Sequence, residues 1–197
     1  MAKQLLPWFL VLCALPAATQ ATILLDENFN ELTPQNNAVS VGAFAALTGS
    51  PVDIVSGAQC PAPASGVCVQ LDGSGPPAVP GRIQSRMMFP AGTYFVSFDL
   101  VSPSGVTTNS TVSLGNTRLS EVLGPGDDAI VKNQQFTVVG STLNQLLIAS
   151  NTLPVGAVLD NVIVSTTPIG AGVPEPATLG LLALGIAGVG FATRRRR

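Results

Sequence analysis

The chain of 197 residues contains no histidine and few charged residues, nine lysines and arginines against eleven aspartates and glutamates. Without histidine an activated serine lacks its usual general base, and no Gly-x-Ser-x-Gly motif is present, so serine hydrolase chemistry is not supported. Between the two ends of the chain only four basic residues remain, and they are scattered, which argues against a nucleic-acid-binding surface. The composition therefore favours a protein that is not an enzyme and has no nucleic-acid partner.

Aromatic residues are also scarce, with one tryptophan, Trp8, and one tyrosine, Tyr94. Sugar-binding modules usually stack sugar rings on exposed aromatic side chains, which present an apolar face and a polar edge. Trp8 lies in the N-terminal apolar segment, and the alternation of its strand places Tyr94 on the apolar face. The sequence therefore contains no obvious aromatic platform for a sugar.

The last 25 residues combine three features in a fixed order. Pro174, Glu175 and Pro176 hold the chain extended because proline cannot continue a helix. An uncharged apolar run follows at 177–192, and as a helix it would be about 24 Å long. Local thinning of the bilayer and snorkelling arginines could fit this length to a membrane. The chain then ends on a cluster that should stay in the cytoplasm as a membrane stop, namely Arg194, Arg195, Arg196 and Arg197.

This arrangement resembles the PEP-CTERM sorting signal of exported bacterial proteins. The resemblance implies processing near Pro174-Glu175-Pro176 by an exosortase-type enzyme, an inner-membrane precursor facing the periplasm, and a mature form at the cell surface or outside the cell. Producers of such proteins generally make extracellular polysaccharide, so a role in biofilm matrix is implied as well. The alternative is an ordinary C-terminal membrane anchor.

The N-terminal end is typical of a secretory signal peptide. Lys3 is followed by an apolar core at Leu5–Leu15 and by small residues up to Ala21. A lipoprotein cysteine at Cys13 is disfavoured because bulky Leu12 precedes it. We therefore expect a signal peptide at 1–21, one domain at 22–172 and the sorting signal at 173–197. The residues between the signals carry a net charge of −6.

Two cysteines remain in the domain, Cys60 and Cys68, and export would bring them to an oxidising compartment. The segment between them contains two prolines and a glycine, so it can close a small loop, and we expect a disulfide. The spacing is not that of a Cys-x-x-Cys redox motif, and a zinc site is poorly supported without histidine.

The pattern between the signals is that of β-structure. Gly92–Leu100 alternates apolar and polar residues, and no segment has helical periodicity. Many short strands separated by glycine and proline turns predict an all-β fold, a single antiparallel jelly-roll β-sandwich, flanked by the N-terminal signal helix and the C-terminal transmembrane helix. The candidate strands are Ile23–Leu25, Val39–Phe44, Val67–Leu71, Ile83–Phe89, Gly92–Leu100, Thr107–Leu114, Gln135–Val139, Gln145–Ala149 and Val155–Ser165.

Acidic residues occur near the first and last strands of this domain, which a sandwich can bring together. Glu27 and Asp160 could then share a hard cation such as calcium, with Asp26 as a weaker ligand. The pair resembles jelly-roll carbohydrate-binding modules, in which an early acidic residue and an aspartate of the last strand often share a structural calcium. The alternative is that Asp160 and Asn161 simply form hydrogen bonds to a loop backbone.

Three functions are compatible with these features. The first is a non-enzymatic surface or extracellular-matrix protein sorted by its C-terminal signal. The second is a carbohydrate-binding module for the producer's own exopolysaccharide. The third, a hydrolase, is disfavoured because the adjacent pair Asp127-Asp128 lies in a glycine-rich turn, where neighbouring carboxylates usually point apart rather than flank a cleft.

Overall fold

Two antiparallel β-sheets share one buried core in the computed structural model. The structure describes residues 21–60, 66–74, 79–103, 105–140, 143–152 and 155–170. Within these residues there are thirteen strands and one short 3₁₀ turn at Gly57–Gln59. The prediction of an all-β fold built from antiparallel sheets is therefore confirmed.

The first sheet has seven strands. Six of them lie in the order β11-β8-β13-β6-β5-β2, and β1 pairs with β13 beside this path. Its strands are β1 (Ile23–Glu27), β2 (Gln35–Ala38), β5 (Val52–Ser56), β6 (Val67–Gln70), β8 (Gly92–Val101), β11 (Asp128–Val138) and β13 (Val158–Ser165).

The second sheet has six strands in the order β10-β9-β12-β7-β4-β3. Its strands are β3 (Ser40–Val41), β4 (Phe44–Ala46), β7 (Arg82–Ser85), β9 (Thr108–Leu114), β10 (Thr117–Leu123) and β12 (Leu147–Ser150).

The core is formed by the alternating residues that each sheet turns toward the other. In β8 this inner face carries Tyr94, Val96, Phe98 and Leu100, all of them buried. Tyr94 is a core residue, as its strand pattern predicts: its ring packs edge-on against Phe89 with 5.2 Å between ring centroids, and its hydroxyl donates to a backbone carbonyl. It is therefore not a platform for a sugar.

The strand boundaries differ from the prediction in both sheets. Val39–Phe44 was expected to be one strand, but the chain turns at Gly42, where φ is +57°, and forms the β3–β4 hairpin. Glycine adopts this conformation without the penalty that a Cβ would add. Three further strands, β2, β5 and β10, were not expected at all.

The predicted signal helix at 1–21 lies almost entirely outside the described residues, and the predicted transmembrane helix at 177–192 lies wholly outside them. Within the described residues no helix is long and apolar enough to cross a membrane.

Candidate functional site

The sorting residues of the sequence analysis, Pro174 to Pro176 and Arg194 to Arg197, lie outside the described part of the chain. The other candidate residues belong to the β-sandwich. Three of its features bear on function: the junction of the first and last strands, a cleft on the outer face of the seven-stranded sheet, and the disulfide beside that cleft.

The first and last strands of the domain are neighbours, as the sequence suggested. β1 pairs antiparallel with β13, and Glu27 lies opposite Val162. The Glu27 carboxylate accepts two backbone hydrogen bonds, one to Oε1 from the N–H of Phe29 at 2.9 Å and one to Oε2 from the N–H of Ala43 at 2.6 Å. Ala43 lies in the β3–β4 hairpin, so Glu27 connects the first strand of one sheet to a turn of the other.

Asp160 lies on the outer face of the same sheet, opposite Asp99 of β8. Burial raises the pKa of Asp160 to about 6; the Asn161 N–H opposes this shift, and the charges of Asp99 and Glu27 add to it. Asn161 connects the two aspartates, because its backbone N–H donates to Asp160 Oδ1 at 2.7 Å and its side-chain Nδ2 donates to Asp99 Oδ2 at 2.7 Å. Its φ of 52° marks the bulge at which β13 shifts register.

These contacts show which oxygens of Glu27 and Asp160 are already engaged and which would be available to calcium. Both Glu27 oxygens already accept hydrogen bonds, as does Oδ1 of Asp160. Among the described residues no three acidic or cysteine side chains come together in a group that could hold a metal ion. The carboxylates at this junction thus have protein partners of their own, and the weaker candidate, Asp26, pairs with Ile163 in the same strand pair. Calcium at this junction stays a prediction.

A disulfide joins Cys60 to Cys68 with a Cα–Cα distance of 5.6 Å. Cys68 lies on β6 opposite Val55, and the two half-cystines are buried with Val158 in a small cluster on the outer face of the seven-stranded sheet. The disulfide therefore attaches the 3₁₀ turn after β5 to the sheet.

A cleft of about 480 Å³ opens beside this cluster. Its walls come from separate segments that the sheet brings together: the 3₁₀ turn, the outer faces of β6, β8 and β13, and the turn before β11. They are lined by Ala58, Gln59, Gln70, Val101, Ser102, Pro103, Gly126, Val155 and Val158. None of these lining residues is aromatic.

Sequence reasoning did not find this cleft. Its polar members, Gln59, Gln70 and Ser102, are neutral residues far apart in the chain, and nothing in their local sequence distinguishes them from other surface residues. Only the proximity of Gln59 to Cys60 offered a signal, because a disulfide fixes the position of its neighbours.

The C-terminal end of the chain matches a known sequence motif. Residues 172–197 match the PEP-CTERM protein-sorting motif. The resemblance stated from Pro174-Glu175-Pro176, the apolar run and the arginines is therefore confirmed. No curated protein matches the chain in sequence.

Solved structures share the fold of this chain's β-sandwich. The xylan-binding domain from CBM 22 is 16% identical with a TM-score of 0.51, and the match covers 73% of this chain and 94% of that domain. Arabinose-bound MgGH51 α-L-arabinofuranosidase is 13% identical with a TM-score of 0.51, and the match covers 74% of this chain. The chain spans 26% of the arabinofuranosidase, so the likeness concerns one part of that enzyme. At these identities the likeness shows the fold alone.

Proposed function

We propose that this chain is an exported, non-enzymatic surface or extracellular-matrix protein that an exosortase-type enzyme processes near Pro174-Glu175-Pro176. The observation that carries the proposal is the PEP-CTERM match at residues 172–197. The precursor sits in the bacterial inner membrane with its β-sandwich in the periplasm. The mature form is released to the cell surface or the extracellular space.

The physical reason for this route lies in the order of the three C-terminal features. An apolar run followed by four arginines stops in the membrane with the arginines on the cytoplasmic side. Because proline disfavours a helix, the sequence predicts that Pro174–Pro176, next to the outer leaflet, offers a backbone that a membrane-embedded processing enzyme can reach.

Intact-mass measurement tests the sorting step. Protein from the cell surface should lack everything beyond the Pro-Glu-Pro region, and inner-membrane protein should retain it. Replacing Pro174 and Pro176 together by alanine should trap the longer form in the membrane, whereas replacing Pro168 by alanine should leave processing unchanged. A mature surface protein that still carries Arg197 would exclude the proposal.

A non-enzymatic role for the domain is supported by the chemistry of its acidic groups. Glu27, Asp99 and Asp160 form hydrogen bonds to protein N–H groups in a sheet rather than facing each other across a cleft. The chain also contains no histidine to act as a general base. We assign the sandwich to the jelly-roll class, which is supported by its likeness to the xylan-binding domain.

The second candidate function is binding of the producer's own exopolysaccharide in the cleft on the seven-stranded sheet. Its volume of about 480 Å³ lies within the usual range for ligand pockets, and the side chains of Gln59 and Gln70 offer amide donors and acceptors for sugar hydroxyls. Affinity should be modest because none of the described lining residues has an aromatic ring on which a sugar could stack.

A pulldown with the purified exopolysaccharide tests this candidate. Wild-type mature protein should be retained on the polysaccharide, and Ala58→Leu, which narrows the cleft from an exposed position without adding an aromatic ring, should weaken retention. Arg118→Ala, on β10 of the other sheet, serves as the control and should bind like the wild type. If wild type is not retained, or if Ala58→Leu binds normally, the cleft is not a sugar site, and the sorting proposal is unaffected.

A further inference from the structure

Two buried aspartates lie close together at the β2 side of the seven-stranded sheet, away from the junction of the first and last strands. Asp53 and Asp72 are each only 5% exposed. Asp53 lies on β5 opposite Gln70 of β6, and Asp72 follows two residues after Gln70, so all three belong to the outer face of the sheet. Ser74, two residues after Asp72, hydrogen-bonds to the Asp53 carboxylate, so the chain brings the two aspartates to the same place; the charge of Asp53 adds to the raised pKa of Asp72.

The carboxylate of Asp53 is well provided with donors. Its Oδ1 accepts hydrogen bonds from the backbone N–H of Asn37 at 2.7 Å and from that of Ser74 at 3.3 Å. Its Oδ2 accepts a hydrogen bond from the Ser74 hydroxyl. These contacts keep the first residues after β6 folded over Asp53.

The carboxylate of Asp72 has fewer hydrogen-bond donors than that of Asp53. Burial raises its pKa above the ordinary value; hydrogen bonds from the Gly156 backbone and the Gln70 side chain act in the opposite direction, but Oδ1 has no hydrogen-bond partner. An unpaired carboxylate oxygen in a buried site is unfavourable unless a proton or a cation compensates it.

We propose that Asp53, Asp72 and Ser74 form a binding site for a hard divalent cation of the calcium class. The available donors are carboxylate and hydroxyl oxygens, which suit calcium rather than a transition metal. Two carboxylates balance the charge of one divalent ion, and Oδ1 of Asp72 supplies an oxygen that nothing else uses. The Ser74 hydroxyl, now a donor to Asp53, can turn a lone pair toward the ion because it rotates freely.

This site differs from the predicted calcium at Glu27 and Asp160 in the state of its oxygens. Both Asp53 oxygens accept hydrogen bonds, as both Glu27 oxygens do at the strand junction, so the difference lies in Asp72, whose Oδ1 is buried without a hydrogen-bond partner. An ion here would hold β5, the end of β6 and Ser74 together. It would also steady Gln70, which both contacts Asp72 and lines the cleft.

The test is calcium binding by the full-length chain, purified in detergent with a chelator and then dialysed. Calcium is titrated from about 10 μM to about 10 mM, a range that spans the affinities of extracellular calcium modules, by calorimetry and by following the melting temperature. Asp72→Asn keeps the shape of the side chain and removes its charge. Asp160→Asn alters the other candidate site, and Asp128→Asn removes one exposed charge as a control.

Wild type should bind calcium and melt at a higher temperature with it, and Asp128→Asn should do the same. Asp72→Asn should weaken binding at least tenfold, while melting in chelator at or above the wild-type temperature because a buried charge is gone. Asp160→Asn should keep the calcium response. The proposal is overturned if wild type does not bind calcium, if Asp72→Asn binds normally, or if only Asp160→Asn abolishes the response. A wild-type stability that responds to pH but not to calcium would mean that a proton occupies Asp72.

Discussion

Asp99 and Asp160 lie directly opposite each other on β8 and β13, and Asn161 donates one hydrogen bond to each of them. Two like charges in register on neighbouring strands are unfavourable. The amide of Asn161 reduces that repulsion, and the left-handed backbone at this residue allows one side chain and its own N–H to reach both carboxylates.

The first prediction concerns pH. Because the folded-state pKa of Asp160 is raised to about 6 from an ordinary value of 3.8, the ionised form is less favourable in the folded protein than in the unfolded chain. Its stabilising contribution is therefore full below about pH 4 and is lost as pH rises through 6. The free energy of unfolding, measured by denaturant titration in the presence of chelator, should fall by about 2 kcal/mol between pH 4.5 and pH 7. Asp160→Asn should reduce this dependence to the part that the raised pKa of Asp72 contributes, whereas Asp128→Asn should keep it in full; an unchanged slope in Asp160→Asn would show that Asp160 does not cause it.

The second prediction separates the two roles of Asn161. Asn161→Ala removes the amide that reaches Asp99 but keeps a Cβ on a backbone with φ of 52°, whereas Asn161→Gly removes both the amide and the Cβ and fits the backbone. Both variants should be destabilised, by about 1–2 kcal/mol for the lost charge-assisted hydrogen bond. The alanine variant should be the less stable of the two by about 1 kcal/mol. Thermal unfolding of the two variants side by side measures this difference, and equal stabilities would mean that the bulge relaxes.

The third prediction tests the link between Glu27 and the β3–β4 hairpin. Glu27→Gln turns one N–H acceptor into a donor that faces another N–H, so it should destabilise the domain by about 1–3 kcal/mol. Gly42→Ala should also destabilise, because its new Cβ would overlap the Glu27 carboxylate and because φ is +57°. The exposed Glu31→Gln is the matched control.

A double-mutant cycle of Glu27→Gln and Gly42→Ala decides whether the two residues act together. Since both changes disturb one contact, the double variant should lose less stability than the two single variants together. Strict additivity in chemical denaturation would indicate that Gly42 matters only for its backbone conformation.

The fourth prediction concerns the disulfide. Replacing Cys60 and Cys68 together by serine should lower the free energy of unfolding by about 2–3 kcal/mol, because the bond closes a loop with a sequence separation of only 8. Wild type treated with reductant should show the same loss, and reductant should not affect the double variant. If the oxidised and reduced proteins unfold at the same denaturant concentration, the bond contributes nothing to stability.

Some strands could be predicted from local pattern and others could not. β8 carries an apolar residue at every second position from Tyr94 to Leu100, so its inner face was evident in the sequence. β2 reads Gln-Asn-Asn-Ala and is a strand only because it pairs with β5. β5 carries Asp53 at its second position, and β10 is an edge strand with a half-exposed, weakly alternating pattern. In these three strands the pairing partner, not the local sequence, decides the conformation.

The acidic residues, like the strands, were predictable from the sequence only in part. Glu27 and Asp160 were expected to come together, and their strands are indeed neighbours, but the sequence could not show that backbone N–H groups engage both Glu27 oxygens. The sequence did not indicate Asp53 or Asp72 as candidate ligands. Asp53 lies inside β5, a strand that was not predicted, and Asp72 begins a glycine-rich turn. Their burial depends on Ser74 and Gly156, which only the folded chain brings to them.

The sequence by itself determined the C-terminal sorting signal and the β class of the domain, because both depend on the order of neighbouring residues: proline next to an apolar run and arginines in one case, alternation along a strand in the other. The tertiary structure alone decided which strands pair, the opposition of Asp99 and Asp160, the cleft beside the disulfide and the unpartnered oxygen of Asp72. These features arise from residues tens of positions apart, whose proximity is set by sheet register and burial rather than by any local pattern.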